Sequence, residues 1–600
     1  MYSFIRTFTH SPTRTLKTAF LHLHIYTFSH PYIRTLKEVF LYSHIYTFSH
    51  LHIHYMTRPI PQIVRYLAVL LKGNRLQTIL NTVVGVLLVL LDLAFVWATK
   101  LAVDVATHNN ETLSLYQTFW LIGIVMVVRI ALGLSSRWIR AVLGVKAQNS
   151  MRRHIFSKLL NSEWVALKKY HTGNLTNRIE HDVDDVVNFI TESIPSLITT
   201  LTQFVGAFFL LFFMDSTLAI IIVCIIPVFI ISSKLYVRKM RKLTHEAREE
   251  DSRIQSLIQE TLQHVMVVKT LQKVAYFIDR LNGQQRDLHH LILKKTRYST
   301  ISSSLLSLGF AVGYFVTFVW GTTSLSKGLI TYGAMLAFIQ LVGQIQTPVR
   351  NLSKFVPIFI TAFTASERLM ELEEIEQEEQ QSPQILQAPI GIKLAKVTFQ
   401  YDAQSRLIFN NFDYSFPAGS VTAIVGKTGA GKTTLIRMLL SLIKPTAGGI
   451  SMVDAVGRSY ALSPSLRANY AYVPQGNTLF SGTIRSNLLQ GNPHATDEDI
   501  KSALYIADAE FVYKKAKGLD TPCGESGDGL SEGQAQRISI ARALLSKGSV
   551  YIFDEATSSL DPETEENVLK RIIEHRPHCT LIFITHRPLV LKYADQKLEL

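Results

Sequence analysis

Six hundred residues with a mean hydropathy of +0.18 exceed one ordinary domain; the apolar excess is concentrated between about residues 76 and 363, which predicts a membrane-embedded part followed by a soluble α/β part. The net charge of +15 is spread between the apolar runs rather than gathered into one aromatic-studded patch, which argues against a nucleic-acid partner. Cys224, Cys523 and Cys579 lie far apart and form neither a disulfide framework nor a zinc motif.

Residues 1–55 repeat themselves at every twentieth residue: Thr7 opens TFTH, Thr27 and Thr47 each open TFSH, and Arg14 and Arg34 each open RTLK. The segment has no sustained helical stripe and no signal-peptide core, so it is expected to be a disordered extension without a catalytic role, ahead of a start at Met56. Metal capture by His22, His24, His44, His52 and His54 is the alternative. In 61–72, Ile63, Leu67, Leu70 and Leu71 oppose Arg65 and Lys72, the pattern of an amphipathic elbow helix on the membrane surface.

Six runs of spanning length follow, 76–101, 119–139, 194–214, 217–235, 301–322 and 330–349, within a membrane domain placed at 56–370. Two long polar linkers, 140–193 and 236–300, hold about twenty Lys and Arg, whereas the opposite side has only Lys327 and Lys100 at a span's edge; the positive-inside rule puts the long linkers in the cytoplasm. Their interspersed charges and scarce breakers predict helices that continue out of the membrane as paired arms. Asp92 and Arg129 fall at similar depth in the first two spans, and an intramembrane pair is expected.

An acidic, glutamine-rich linker, 371–388, leads to the soluble domain at 389–600. The buried-strand pattern VTAIV precedes GKTGAGKT, a phosphate-binding loop made of Gly426, Lys427, Thr428, Gly429, Ala430, Gly431, Lys432 and Thr433, with Thr434 continuing into a helix. The glycines let backbone N–H groups wrap phosphates at the helix N-terminus, Lys432 neutralises the β and γ phosphates of ATP, and the Thr433 hydroxyl suits Mg²⁺. Further on, a strand ends in Asp554 and Glu555: the first suits holding the metal, the second polarising the attacking water.

Together with LSEGQ at 530–534, these elements resemble the ATP-binding cassette family over essentially everything from Met56 onward. The resemblance implies an exporter-type half-transporter: an α-helical membrane domain of six transmembrane helices with long cytoplasmic extensions, fused to an α/β P-loop ATPase domain. It further implies that Ser531, Gly533 and Gln534 close over a nucleotide held by a partner subunit, that Tyr401 stacks on adenine, that Gln475 senses Mg²⁺, that the loop at Asp561 contacts the partner, and that His586 touches the γ-phosphate. Coupling helices are expected near 163–169 and 268–277, the second including Lys269. Glu532 departs from the glycine most common there, and the end at Leu600 suggests an incomplete C-terminus.

The expected function is ATP-driven export or flipping of an amphipathic or lipid-like substrate, by alternating access in a dimer, in the cell (inner) membrane with the cassette cytoplasmic. A homodimer is favoured over a heterodimer. A regulatory or channel-like ATP-binding protein is the alternative, against which Glu555 speaks; a nucleic-acid ATPase is opposed by the six spans, and import by the fusion of both domains in one chain.

Overall fold

The computed structural model describes residues 58–70, 75–109, 114–402, 405–524 and 529–600, with the side chains of 77, 232–238, 241 and 353 left out. The twenty-residue repeat and Leu71 and Lys72 of the elbow lie outside the described residues. Two compact units form: one holds the chain up to Arg152 and Arg178–Met370, the other Arg153–Asn177 and Glu371–Leu600.

In the first unit, α1 (Ile60–Leu70) buries Ile63 and Leu67, four residues apart on the face the sequence marks as apolar. Long helices follow at α2 (Arg75–Ala106) and α3 (Leu115–Leu160), then the short α4 (Trp164–Leu167) of the other unit, α5 (Thr172–Met214), α6 (Ser216–Gln263), the short α7 (Val265–Thr270), α8 (Val274–Ser326) and α9 (Tyr332–Glu373). The 46 residues of α3 extend about 70 Å at 1.5 Å per residue, more than twice the hydrocarbon core, so this helix runs on as an arm. Among the described residues, α2, α3, α5 and α8 are long and apolar enough to span. In α6 the described apolar stretch Ser216–Ile231 is shorter, and in α9 Gln340, Gln344 and Gln346 dilute the apolar run.

Proline chemistry shapes α5. Pro195 has no N–H for the carbonyl of Thr191, and two π-helical turns, Arg178–Asp182 and Phe189–Ser193, interrupt the helix on its N-terminal side. The Thr191 carbonyl accepts instead from Asn81 Nδ2 of α2 at 3.4 Å, and Asn81 Oδ1 accepts from Ser136 Oγ of α3 at 3.1 Å, so three helices share one buried polar knot. At the opposite end Asp215 caps α6 through Leu218 N at 2.9 Å and accepts from Trp320 Nε1 of α8 at 2.7 Å. Asp104, also buried, accepts from Lys100 Nζ at 3.0 Å and from the Gly333 amide at 3.1 Å, joining the end of α2 to the start of α9.

The expected pair between Asp92 and Arg129 is present, with Nε 2.6 Å from Oδ1. Arg129→Asp should destabilise the folded protein by about 2.5–3.5 kcal/mol or more, because it leaves two carboxylates facing each other in the apolar layer. Reversing both charges should recover most of that loss, as read from thermal unfolding in lipid nanodiscs; a double variant no more stable than the singles would show that the pair contributes nothing.

One expectation shifts. The second connector helix is Val265–Thr270 rather than 268–277, because Gln272 takes a left-handed φ of 54° and breaks the chain before α8 starts at Val274. Val268 is its buried residue, whereas Met266 and Leu271 are 74% and 63% exposed.

The second unit has a five-stranded parallel sheet at its centre, ordered β11 (Gln596–Glu599), β3 (Val421–Val425), β10 (Thr580–Ile584), β9 (Val550–Asp554), β6 (Tyr470–Val473). Its middle strands are apolar on both faces: Val421, Ala423, Tyr551, Phe553, Leu581 and Phe583 enter one core, and Ile424, Val550, Ile552, Ile582 and Ile584 the other. Against the second core lies an antiparallel sheet, ordered β2 (Phe409–Phe416), β1 (Gly391–Phe399), β4 (Ala447–Val453), β5 (Ser459–Ala461). Helices α10 (Lys432–Leu439), α11 (Ile484–Leu489), α12 (Asp497–Ile506), α13 (Glu532–Leu544), α14 (Pro562–His575) and α15 (Pro588–Leu591), with the ribbon β7 (Gly482–Thr483) and β8 (Pro522–Cys523), complete the unit.

The segment after α9 is tied to this unit. Arg467 clamps Glu378 through two bonds of 2.6 and 2.9 Å and donates to the Leu440 and Ser441 carbonyls, while Asn469 Oδ1 accepts from the Leu386 amide at 2.8 Å.

Candidate functional site

The phosphate-binding loop connects the C-terminal end of β3 to the N-terminus of α10, where unpaired backbone amides collect. Gly429 and Gly431 have φ of 87° and 103°, which only glycine adopts without strain, and Gly431 N-caps α10. Gly426, Lys427, Thr428 and Ala430 complete the turn, Ala430 N bonding back to the Lys427 carbonyl at 3.1 Å. Lys432 Nζ donates to the Gly426 carbonyl at 2.5 Å and to His586 Nε2 at 2.8 Å. An ammonium has no lone pair, so Nε2 is the acceptor and His586 carries its proton on Nδ1; the 3.5 Å approach of Nε2 to Glu555 Oε1 is therefore a contact without a proton between the two atoms. Thr433 is exposed beside Lys432, and Thr434, buried, lies 3.2 Å from the Tyr401 hydroxyl.

Asp554 and Glu555 leave the end of β9 in different directions. Asp554 is 8% exposed, and burial pushes its carboxyl above the ordinary range while the Tyr472 hydroxyl, 3.3 Å from Oδ2, draws it back. Glu555 has a left-handed φ of 49°, held by its amide bonding to the Ile584 carbonyl at 3.0 Å. That backbone aims its side chain at Gln475, whose Nε2 donates to Oε2 at 2.7 Å. Gln475, Glu555, His586 and Lys432, spread over 155 positions of sequence, thus form one linked group.

Ser531, Gly533 and Gln534 open α13 at another place. Ser531 Oγ accepts from Gln534 N and Gln534 Oε1 from Ser531 N, both at 3.3 Å, a reciprocal cap that fixes the serine at the helix N-terminus. Gly533 is packed so closely on the Ser559 carbonyl that a Cβ would lie 2.9 Å from it. Gln536 bonds Ser558 Oγ and the Ser559 amide, and Asp561 caps α14 through Thr564 N at 3.0 Å, so α13, which the 530–534 turn opens, is tied to the loop that leads to Asp561. Glu532 is exposed on the first turn.

Several contacts were not legible in sequence. Arg587 holds the Leu560 and Ser558 carbonyls and Glu565, fixing the loop beside His586. Tyr472 reaches Asp554, and Arg437 NH1 donates to the Tyr401 hydroxyl at 2.8 Å. None of the three lies in a motif; Tyr472 stands three residues before Gln475 on β6, which is the single sequence signal that could have marked it.

The membrane unit has a cavity of about 650 Å³ between the 185–196 part of α5 and the 351–362 part of α9, lined by Asp185, Asn188, Glu192 and Lys354 together with Phe189 and Phe355.

Residues 78–349 match the ABC transporter transmembrane region and residues 409–558 the ABC transporter family. An ATP-dependent lipid A-core flippase of Desulfotalea psychrophila is 30% identical over 461 residues, 76% of this chain and 80% of that protein. The chain is an ABC transporter. An uncharacterized ABC transporter ATP-binding protein of Bacillus subtilis, YknV, is 29% identical over 501 residues, 82% of this chain and 81% of the relative. The structure of a bacterial Atm1-family ABC exporter with ATP bound superposes with a TM-score of 0.71, covering 88% of this chain and 94% of the other at 22% identity, which establishes the shared fold. This ABC transporter is therefore a multi-pass membrane protein of the exporter type, an ATPase coupled to transport, carrying one membrane domain and one cassette as half-transporters do. Half-transporters of this kind act as dimers.

Proposed function

We propose that this half-transporter works as a homodimer that exports or flips an amphipathic, lipid-like cargo across the cell's inner membrane, with its cassettes in the cytoplasm and two equivalent ATP sites between the chains. The observation that carries the reading is the convergence of Gln475, Glu555, His586 and Lys432 from four separate stretches of sequence. The positive charge of the 140–193 and 236–300 arms supports the orientation. The cavity of carboxylates, amides and phenylalanines at α5 and α9 supports an amphipathic cargo.

In this reading Tyr401 stacks on adenine, and Gly426, Lys427, Thr428, Gly429, Ala430 and Gly431, with the amides of Lys432, Thr433 and Thr434, wrap the phosphates. Lys432 exchanges the Gly426 carbonyl and His586 for phosphate oxygens, and Nε2 of His586, freed of the lysine, takes up a proton and donates it in a hydrogen bond to the γ-phosphate. Gln475 holds Glu555 by Oε2, leaving Oε1 to take the proton of the attacking water. Ser531, Gly533 and Gln534, with the Asp561 loop, close on the nucleotide of the partner chain. The Thr433 hydroxyl, the Asp554 carboxylate and the Gln475 carbonyl are hard oxygen donors of the kind Mg²⁺ takes, and a carboxylate strained by burial gains from a cation beside it. Mg²⁺, when bound, neutralises phosphate charge that these donors leave exposed.

The test is ATP turnover of the purified protein in lipid nanodiscs with a graded series of amphiphiles. Turnover should rise with acylated members of the series and stay at its basal level with their water-soluble head groups alone. Stimulation by the head groups alone, with none from the acylated forms, would refute a lipid-like cargo.

A further inference from the structure

The connector α4 and the aromatic ring of Tyr401 share one guanidinium. Glu163, which precedes α4, accepts from Lys444 Nζ at 3.2 Å, and its amide bonds the Glu376 carbonyl at 2.8 Å, so the connector is fixed to the cassette of its own chain. Trp164, the first residue of α4, packs against the core that contains β1 and α10. The Arg437 guanidinium, on α10 one turn after Thr434, lies 4.7 Å from the centre of the Trp164 ring, and Lys168 Nζ lies 4.9 Å from it.

A planar guanidinium over a ring keeps its in-plane N–H groups free for bonding. One of them, NH1, donates to the Tyr401 hydroxyl at 2.8 Å. Arginine cannot accept, so the tyrosine oxygen is the acceptor there, and the same hydroxyl shares a hydrogen bond with Thr434 Oγ1 at 3.2 Å in which either oxygen can donate. With its hydroxyl held at two points and its ring edge-on to Phe399 at 5.0 Å, Tyr401 has one orientation, and it remains 42% exposed for a ligand.

We infer that Arg437 is a positioning residue that ties the base-stacking ring to the first connector of the membrane helices. Seating of α4 through Trp164 sets how well Tyr401 receives the purine, and by reciprocity a bound purine tightens the hold on α4. The inference rests on the role given above to Tyr401. It goes beyond that role by assigning the base contact, separately from the phosphate contacts, to communication with α4.

The experiment measures equilibrium binding to the full-length dimer in nanodiscs, in a Glu555→Gln background, with ATP and with inorganic tripolyphosphate as probes. Arg437→Met, which keeps the bulk of the arginine stem, and Trp164→Leu, which keeps an apolar side chain but removes the ring, should both raise the Kd for ATP about fivefold or more, the lower end of typical coupling between linked sites. The double variant should lose no more than the worse single one. Tripolyphosphate, which has no base, should bind all three like the parent and thereby report that the phosphate loop is folded. Additive losses, an unchanged Kd in Trp164→Leu, or equal weakening of tripolyphosphate would overturn the inference. Tyr401→Ala is the reference: if it binds ATP like the parent, the stacking role itself is wrong, which separates that failure from failure of the Arg437 link.

Discussion

Glu555→Gln should lower ATP turnover about 10²- to 10⁴-fold, the contribution a positioned general base commonly makes, while ATP binding is retained. The substitution is close to isosteric and keeps a carbonyl oxygen for the Gln475 amide that now donates to Oε2 at 2.7 Å. What it removes is the proton acceptor at Oε1. The left-handed backbone at Glu555, with its amide bonded to Ile584, is set by the strand end and is unaffected by the change. A turnover within a few-fold of wild type would mean that another group takes the proton. Loss of ATP binding along with turnover would mean that the carboxylate orders the site rather than reacting in it. Nucleotide binding beside phosphate release separates these outcomes.

The second large effect concerns the division of the site between chains. Lys432→Ala removes a charge-assisted contact and should weaken ATP binding about tenfold to a hundredfold, since bonds to charged groups contribute about 1.5–3 kcal/mol. Ser531→Arg should stop turnover by a different route. The serine sits at the N-terminus of α13 with both its bonds inside the helix cap, so an arginine there removes the cap and places a long cation at the mouth of the turn proposed to close on the partner's nucleotide. Each variant alone should form dimers without measurable phosphate release.

The elements that depend on composition and period were legible in the sequence. Apolar length marked α2, α3, α5 and α8, whose described residues are long and apolar enough to span, and an interval of four marked Ile63 and Leu67 on α1. The pairing of Asp92 with Arg129 followed from counting rise per residue. The loop, the strand-end carboxylates and the 530–534 turn were legible because each is local, a strand or helix end read within ten residues. Contacts between remote segments were not. Nothing in the acidic run after α9 announces that Glu378 is clamped by Arg467, and its polarity reads as a free linker. Trp164 and Arg437 are separated by 273 positions and joined by ring stacking, which leaves no periodic trace. The π-helical turn at Phe189–Ser193 stands beside Pro195, yet the proline alone does not say that Asn81 takes up the released carbonyl. The second connector moved from its expected place because a single left-handed residue, Gln272, decides where the helix stops, and glutamine carries no signal for that conformation.

The account stands or falls on nucleotide sites shared between two chains, and complementation tests this most directly. Differently tagged Lys432→Ala and Ser531→Arg chains are co-expressed, mixed dimers are purified through both tags into lipid nanodiscs, and the amount of ATP retained per dimer is measured in a Glu555→Gln background. In a mixed dimer one site carries both substitutions and the other carries neither, so one retained nucleotide per dimer is predicted, against none in either parent. No retention in the mixed dimer would contradict the account, because it would place Lys432 and Ser531 of the same chain around the same nucleotide.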